Sequence, residues 1–179
     1  RFDRVGPVGE ERRFHYLSAS ALLDVPYESS RGSYVELAQL LRRISARPQA
    51  DLAELFRRLV FNLAVGNSDD HVKNHGALRS EDGFWRLAPA FDLVMQLGGH
   101  RGYQELAILP GQHASSIELA RAAASHFGLS AAQADAVIRT TEETVALHAA
   151  ASVEASGANR ALVRRVAAFI EQQHARIHA

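Results

Sequence analysis

The densest run of side chains able to do chemistry is Gly66-Asn67-Ser68-Asp69-Asp70-His71-Val72-Lys73-Asn74-His75. Within it Asp69 and Asn74 stand five positions apart. An Asp that can accept a hydroxyl proton, followed by an Asn that can hold a cation, is a donor set suited to phosphoryl transfer. That chemistry needs hard oxygen ligands gripping Mg2+ and substrate phosphates together. A second carboxylate follows in Leu87-Ala88-Pro89-Ala90-Phe91-Asp92-Leu93, which makes Asp92 the main candidate metal ligand and Asn74 its companion. Adjacent side chains point apart, so Asp70 reads as a residue that structures the loop beside a reactive Asp69.

Other chemistries fit part of the same set. His71 and His75 with Asp69, Asp70 and Asp92 could ligate zinc or a two-metal hydrolytic centre, which would make the protein a metal-dependent phosphohydrolase. An ordinary solvated loop closing a helix is the plainest alternative. Trp85 reads as a packing anchor, and Arg164-Arg165 as a solvated face. His113, His126, His148, His174 and His178 are scattered over helical stretches without metal-ligand spacing or a nearby carboxylate set, and read as surface or helix-end residues.

The elements that must position these groups follow from periodicity. Leu52, Leu55, Phe56, Leu59, Val60 and Leu63 form an i, i+3, i+4, i+7 stripe, with Glu54, Arg57 and Arg58 off it, predicting a core-packed helix that ends at Gly66. The polar run is therefore a loop leaving a rigid support. Leu37, Leu40, Leu41 and Ile44 predict another helix over 34–45. Gly76–Arg79 and Phe84–Leu87 flank Ser80-Glu81-Asp82-Gly83, and Asp-Gly is a tight-turn signal, predicting a β-hairpin between the two motifs. Upstream, residues 1–16 suit an extended opening segment and a turn, with a strand at Arg13–Leu17. A short helix is predicted after Ser18 or Ser20, stopping before Pro26, and a loop over 26–33. Beyond a loop at 96–114, capping-box patterns Ser115…Glu118 and Ser130…Gln133 open two of three further helices, the last carrying Leu162, Val163, Val166, Phe169, Ile170 and Ile177. The predicted fold class is mostly α (α+β), one domain over 1–179, with a small β-hairpin carrying the polar motifs.

The 179 residues are 47% hydrophobic, enough for one buried core. The 20 basic and 20 acidic residues cancel, so no bulk positive field points to direct nucleic-acid or acidic-membrane binding. Cysteine is absent, which excludes disulfides and thiolate metal sites and agrees with a cytoplasmic location. No apolar run reaches the roughly 20 residues of a membrane span. The first residue is Arg1 rather than methionine, so the chain reads as a piece of something longer.

Asp69 and Asn74 have the Asp-to-Asn separation of the protein-kinase catalytic loop. Asn67-Ser68-Asp69-Asp70-His71-Val72-Lys73-Asn74, followed by Leu87…Pro89…Phe91-Asp92-Leu93, closely resembles the C-terminal core of HipA-like kinases, the toxins of bacterial toxin–antitoxin pairs. Arg1-Phe2-Asp3-Arg4, Tyr27-Glu28…Gly32…Tyr34 and Glu105-Leu106-Ala107-Ile108 extend the resemblance over most of the chain. It implies a kinase-like C-terminal lobe that uses ATP and Mg2+ to phosphorylate a Ser or Thr of a protein. Asp69 would be the catalytic base and Asn74 and Asp92 the Mg2+ ligands. The nucleotide would be bound by Arg1 and Phe2 at adenine, His71, Val72, Lys73 and Asn74 along the phosphates, and Phe91 and Asp92. The family further implies a translation-related protein substrate and a cognate antitoxin. No glycine-rich phosphate loop or phosphate-pairing lysine precedes residue 66, so the resemblance covers one half of a kinase site and implies a separate small lobe. The alternative is a catalytically silent kinase-like module that binds a partner protein.

Overall fold

The structure, a computed structural model, describes residues 2–26, 32–80, 82–99 and 102–179. Six α-helices and five short strands are present among them: β1 (Arg4–Val5), β2 (Arg12–Arg13), β3 (Tyr16–Ser18), α1 (Ala19–Leu22), α2 (Tyr34–Ile44), α3 (Pro48–Ala64), β4 (Gly76–Arg79), β5 (Trp85–Leu87), α4 (Ile117–Ala123), α5 (Ala131–Ala155) and α6 (Arg160–Ile177). The protein is mostly helical with two small sheets.

The helix α3 is the central support. Leu55, Phe56, Leu59, Val60 and Leu63 are fully buried, each removing an apolar side chain from water at a gain of about 1.5–3 kcal/mol. They pack with Leu37 and Leu41 of α2, Ile117 of α4, Phe127 of the 3-10 turn over Ala124–Phe127 and Ile138 of α5 in the main core. A smaller cluster of Ala64, Val65, Val145, Val166 and Ile170 joins the end of α3 to α5 and α6. Pro48 sits at the start of α3, where its missing N–H costs nothing. Gly66 ends the helix at φ +65°. A Cβ there would lie 2.6 Å from Cζ of Phe169, so this position needs glycine both for its left-handed backbone and for the close approach of α6.

The predicted hairpin exists as β4–β5, with Ala77 opposite Leu87 and Arg79 opposite Trp85. Around its turn the Phe84 N–H donates to Asp82 Oδ1 at 3.1 Å and the Gly83 N–H to the Ser80 carbonyl at 3.0 Å. The hairpin is part of a larger element than periodicity suggested: β3 pairs antiparallel with β4, Tyr16 opposite Leu78 and Ser18 opposite Gly76. A Cβ on Gly76 would lie 2.5 Å from the Tyr16 ring, so that glycine lets the two strands close. The expected strand at 13–17 is thus displaced to 16–18, and β2 pairs instead with β1, Arg4 opposite Arg13. Ser18 caps α1 by accepting the Ala21 N–H.

Downstream, the Ser130 and Gln133 capping box forms as expected. The cap of α4 is Ser116, not Ser115: the Ser116 hydroxyl accepts the Leu119 N–H, while buried Ser115 turns inward to accept the Gln104 side-chain amide at 3.0 Å. Trp85 is half-buried beside His15, with ring centroids 5.6 Å apart, as a packing residue. Arg164 and Arg165 are exposed on α6. No described helix is long and apolar enough to cross a membrane.

Candidate functional site

The loop after α3 is held from beneath by a buried polar chain. Asn67 donates its side-chain amide to Asn62 Oδ1 at 3.2 Å, Asn62 donates to the Tyr34 hydroxyl at 3.0 Å, and the Tyr34 hydroxyl donates to Asp70 Oδ2. The other oxygen of Asp70 accepts from His75 Nε2 at 3.0 Å. All five residues are at most 3% exposed. The backbone is tied down as well: the Leu106 N–H donates to the Asp70 carbonyl at 2.7 Å, Glu105 N–H to the Ser68 carbonyl at 3.1 Å, and the Ala19 N–H to the His75 carbonyl at 2.8 Å. Burial, and next the negative charge of Asp70, push the Tyr34 hydroxyl well above its ordinary pKa, so it remains a proton donor to that carboxylate.

This anchoring fixes which way each neighbour faces. Asp70 points inward and structures the loop, and Asp69 is exposed. A single 3-10 turn at Val72–Asn74 then brings the Asn74 side chain back, so that its Nδ2 donates to the Asp69 carbonyl at 3.4 Å. Asn74 is 7% exposed. His71 and Lys73 are half-buried on either side of Val72, whose side chain is in the main core and leaves only its backbone for any ligand. His71 Nδ1 is buried and without a hydrogen-bond partner among the described residues.

The hairpin carries the chain from this loop to the second motif. The Ala88 N–H donates to the Gly76 carbonyl at 2.9 Å, extending the β4–β5 ladder to the start of the segment holding Phe91 and Asp92. Asp92 is exposed and adopts φ +56°, a conformation rare for residues with a Cβ and less so for Asp. No hydrogen bond joins Asp92 to Asp69 or Asn74 among the described residues. Phe91 stacks on Phe2 at 5.4 Å, and Tyr16 meets both rings edge-on at 5.6 and 6.3 Å, so the two predicted aromatic contacts share one cluster above the sheet. Arg1 lies outside the described residues, as do Tyr27 and Glu28 of the predicted loop.

Several positioning residues escaped sequence reasoning. Tyr34 lies on a helix whose other buried positions are apolar, and Asn62 and Asp51 are the two polar residues among the buried positions of α3; a polar Asn62 beside Leu59 and Leu63 was the available signal. Asp51, 3% exposed, receives Arg86 of β5 through both carboxylate oxygens at 3.0–3.2 Å, the Ser45 hydroxyl at 2.6 Å and the Leu87 N–H at 2.9 Å. Burial works to raise the Asp51 pKa, but the Arg86, Ser45 and Leu87 donors outweigh it and hold it below its ordinary value. This link clamps the hairpin to α3. Two of the scattered histidines also differ from expectation: His174 in the last turn of α6 and His178 at its C-cap bring their rings together at a tilt, with a carboxylate beside them.

Comparison with known proteins agrees with this architecture. The profile of the HipA-like C-terminal domain family matches residues 1–149. A Sinorhizobium fredii protein named "Putative kinase Y4mE" is 37% identical over 100 residues, covering 52% of this chain and 24% of that protein. A second from the same organism, "Putative kinase Y4dM", is 32% identical over 97 residues, covering 54% of this chain and again 24% of its own length. The chain therefore spans about a quarter of these relatives. A HipA chain of Shewanella oneidensis, solved in a complex with HipB and operator DNA, superposes with a TM-score of 0.73 at 19% identity, over 99% of this chain and 46% of that one. With the matched profile extending over most of its length, this chain belongs to the HipA-like C-terminal domain family.

Proposed function

We propose that the chain is the C-terminal, phosphotransfer half of a kinase-like site, in an ATP-dependent Ser/Thr protein kinase acting as the toxin of a bacterial toxin–antitoxin pair. The observation that carries the reading is the division of labour between neighbours: Asp70 is buried in the Tyr34–Asn62–His75 network, and that network leaves Asp69 facing outward with the Asn74 side chain tied to its carbonyl. Names of relatives as kinases support it at the level of the family.

The donor chemistry suits Mg2+ and a nucleotide. Asp69, Asn74 and Asp92 offer hard oxygen ligands, and no cysteine competes with them. Because Nδ2 of Asn74 is committed to the Asp69 carbonyl, its amide oxygen is the atom left to ligate a cation. The unpartnered Nδ1 of His71 is a polar atom that a phosphate oxygen would satisfy. Asn74 and Asp92 would hold Mg2+, which when bound supplies charge neutralisation on the phosphates. Asp69 would orient the substrate hydroxyl and take up its proton. His71, Lys73 and the backbone at Val72 would line the phosphates, and the stacked Phe2–Phe91 pair would offer a ring face to the base. A small lobe, an antitoxin, a translation-related protein substrate, the absence of direct nucleic-acid contacts and a cytoplasmic location complete the proposal.

The test is phosphate transfer from radiolabelled ATP by the complete gene product. Asp69→Asn is expected to lower the rate by ~10²–10⁴-fold with folding intact, the usual range for a positioned base. Transfer at the wild-type rate in Asp69→Asn and Asp92→Ala would refute the assignment.

A further inference from the structure

We propose that Glu142, His174 and His178 form a binding site for a divalent transition metal of the Zn2+ kind, joining α5 to α6. The ligand atoms of these three side chains lie within 4.8 Å of one another. His174 in the last turn of α6 and His178 at its C-cap are four residues apart, so both imidazoles project from the same side of the helix end, and their ring centroids are 4.6 Å apart. Glu142 comes from the facing helix α5, and its Oε1 is 2.7 Å from His178 Nε2. Two ring nitrogens and one carboxylate oxygen are a donor set for zinc, cobalt or nickel rather than magnesium or calcium, at about 2.0–2.2 Å from the ion. The present separations are within a side-chain adjustment of that geometry.

The chemistry of replacement is simple. In the metal-free state the Nε2–H of His178 donates to Glu142. On binding, His178 changes tautomer, the Nε2 proton being given up to water and Nδ1 taking one up from it, so the neutral ring's Nε2 lone pair and the carboxylate oxygen both turn to the cation, and His174 supplies the third bond. Three protein ligands leave a fourth position open to water. His174 and His178 are exposed and Glu142 half-buried, so the ion has an entry path. Of the charged groups lining the same cleft, Arg121 is occupied by Asp135 at 2.7 Å and by Glu118, while Arg139 and Glu143 balance in sign.

The site is separate from the proposed phosphotransfer centre, and two of its ligands lie beyond residues 1–149 matched by the family profile. Its position nevertheless bears on the loop. The helix that carries both histidines also donates from Gln173 to the Leu63 carbonyl at 2.8 Å and presses Phe169 against Gly66, where the loop begins.

The test is titration of the purified chain with Co2+ and then Zn2+. One Co2+ should bind with the visible absorption bands of four-coordinate nitrogen and oxygen ligation, and Zn2+ should displace it and raise the thermal unfolding midpoint. The double variant His174→Ala/His178→Ala should lose both the spectrum and the midpoint rise, Glu142→Gln should weaken binding at least tenfold, and His148→Ala, an exposed histidine elsewhere on α5, should change neither. All three side chains are at least partly exposed, so the variants retain their metal-free folding, which circular dichroism checks. Six-coordinate Co2+ spectra, or a four-coordinate spectrum that persists in the double variant, would overturn the proposal.

Discussion

The Tyr34 hydroxyl donates to the Asp70 carboxylate across 36 residues of sequence, joining the first turn of α2 to the loop that follows α3. Both groups are buried, so the bond has no water to replace it. Through Asn62 and His75 the same network reaches the end of α3 and the start of β4. Asp69 gains its outward orientation from its neighbour's inward one.

Removal of the hydroxyl in Tyr34→Phe leaves Asp70 and Asn62 each short of a partner. A hydrogen bond to a charged group contributes about 1.5–3 kcal/mol, and that is the expected loss in urea denaturation. If the proposed phosphotransfer is correct, its rate in the complete gene product should fall together with it. Equal stability in the variant would mean that the loop is held by its backbone contacts alone.

The clamp between Asp51 and Arg86 makes stability depend on acid pH. Because the folded-state pKa of Asp51 is lowered, its contribution is present above the ordinary value of 3.8 and is lost as pH falls through the folded value. The stability gap between wild type and Asp51→Asn should thus be wide at neutral pH and narrow in strong acid. Denaturation midpoints of the two proteins across that range measure it, and a gap that stayed constant would exclude ionisation of Asp51 as the cause.

At Gly66 the backbone and the packing make separate demands. Gly66→Ala combines a left-handed φ with a Cβ driven into Phe169, and should cost roughly 1–3 kcal/mol. Phe169→Ala in the same chain removes the clash but not the backbone term. The double variant should therefore be more stable than the two single losses would give when added, a departure that a double-mutant cycle reads directly. Strict additivity would show that only the dihedral matters.

What was legible in the sequence is what local rules govern. The stripe on α3, its end at Gly66 and the Asp82-Gly83 turn each depend on residues a few positions apart, and each formed as read. The pairing of β3 with β4 depends on residues distant in sequence, so the strand expected at 13–17 showed neither its division between β2 and β3 nor the separate partners of the two. The Ser115 cap failed by one position because the pull of Gln104 on Ser115 is tertiary. For the candidate site, residue types and spacing singled out Asp69, Asn74 and Asp92 as candidates, but the groups that brace their loops, Tyr34, Asn62, Asp51 and Arg86, are single polar residues inside otherwise regular elements. The Glu142, His174 and His178 cluster needed two helices brought side by side before the i, i+4 histidine pair acquired a third ligand.

Asp92 offers a way to separate fold from chemistry. Its φ of +56° places a Cβ-bearing residue in the left-handed region, which costs on the order of 1 kcal/mol for most side chains and little for glycine. The exposed carboxylate makes no hydrogen bond or ion pair among the described residues that would repay the conformation. Asp92→Gly should accordingly fold at least as stably as wild type in urea, while the phosphate transfer and Mg2+-dependent nucleotide binding proposed for the complete gene product collapse. Asp92→Asn keeps the preference for a left-handed backbone and one oxygen, and should retain a small part of the activity. If Asp92→Gly were instead less stable by more than about 1 kcal/mol, the backbone at this position would be held by its side chain for structural reasons, and the conformation would lose its value as a sign of a ligand site.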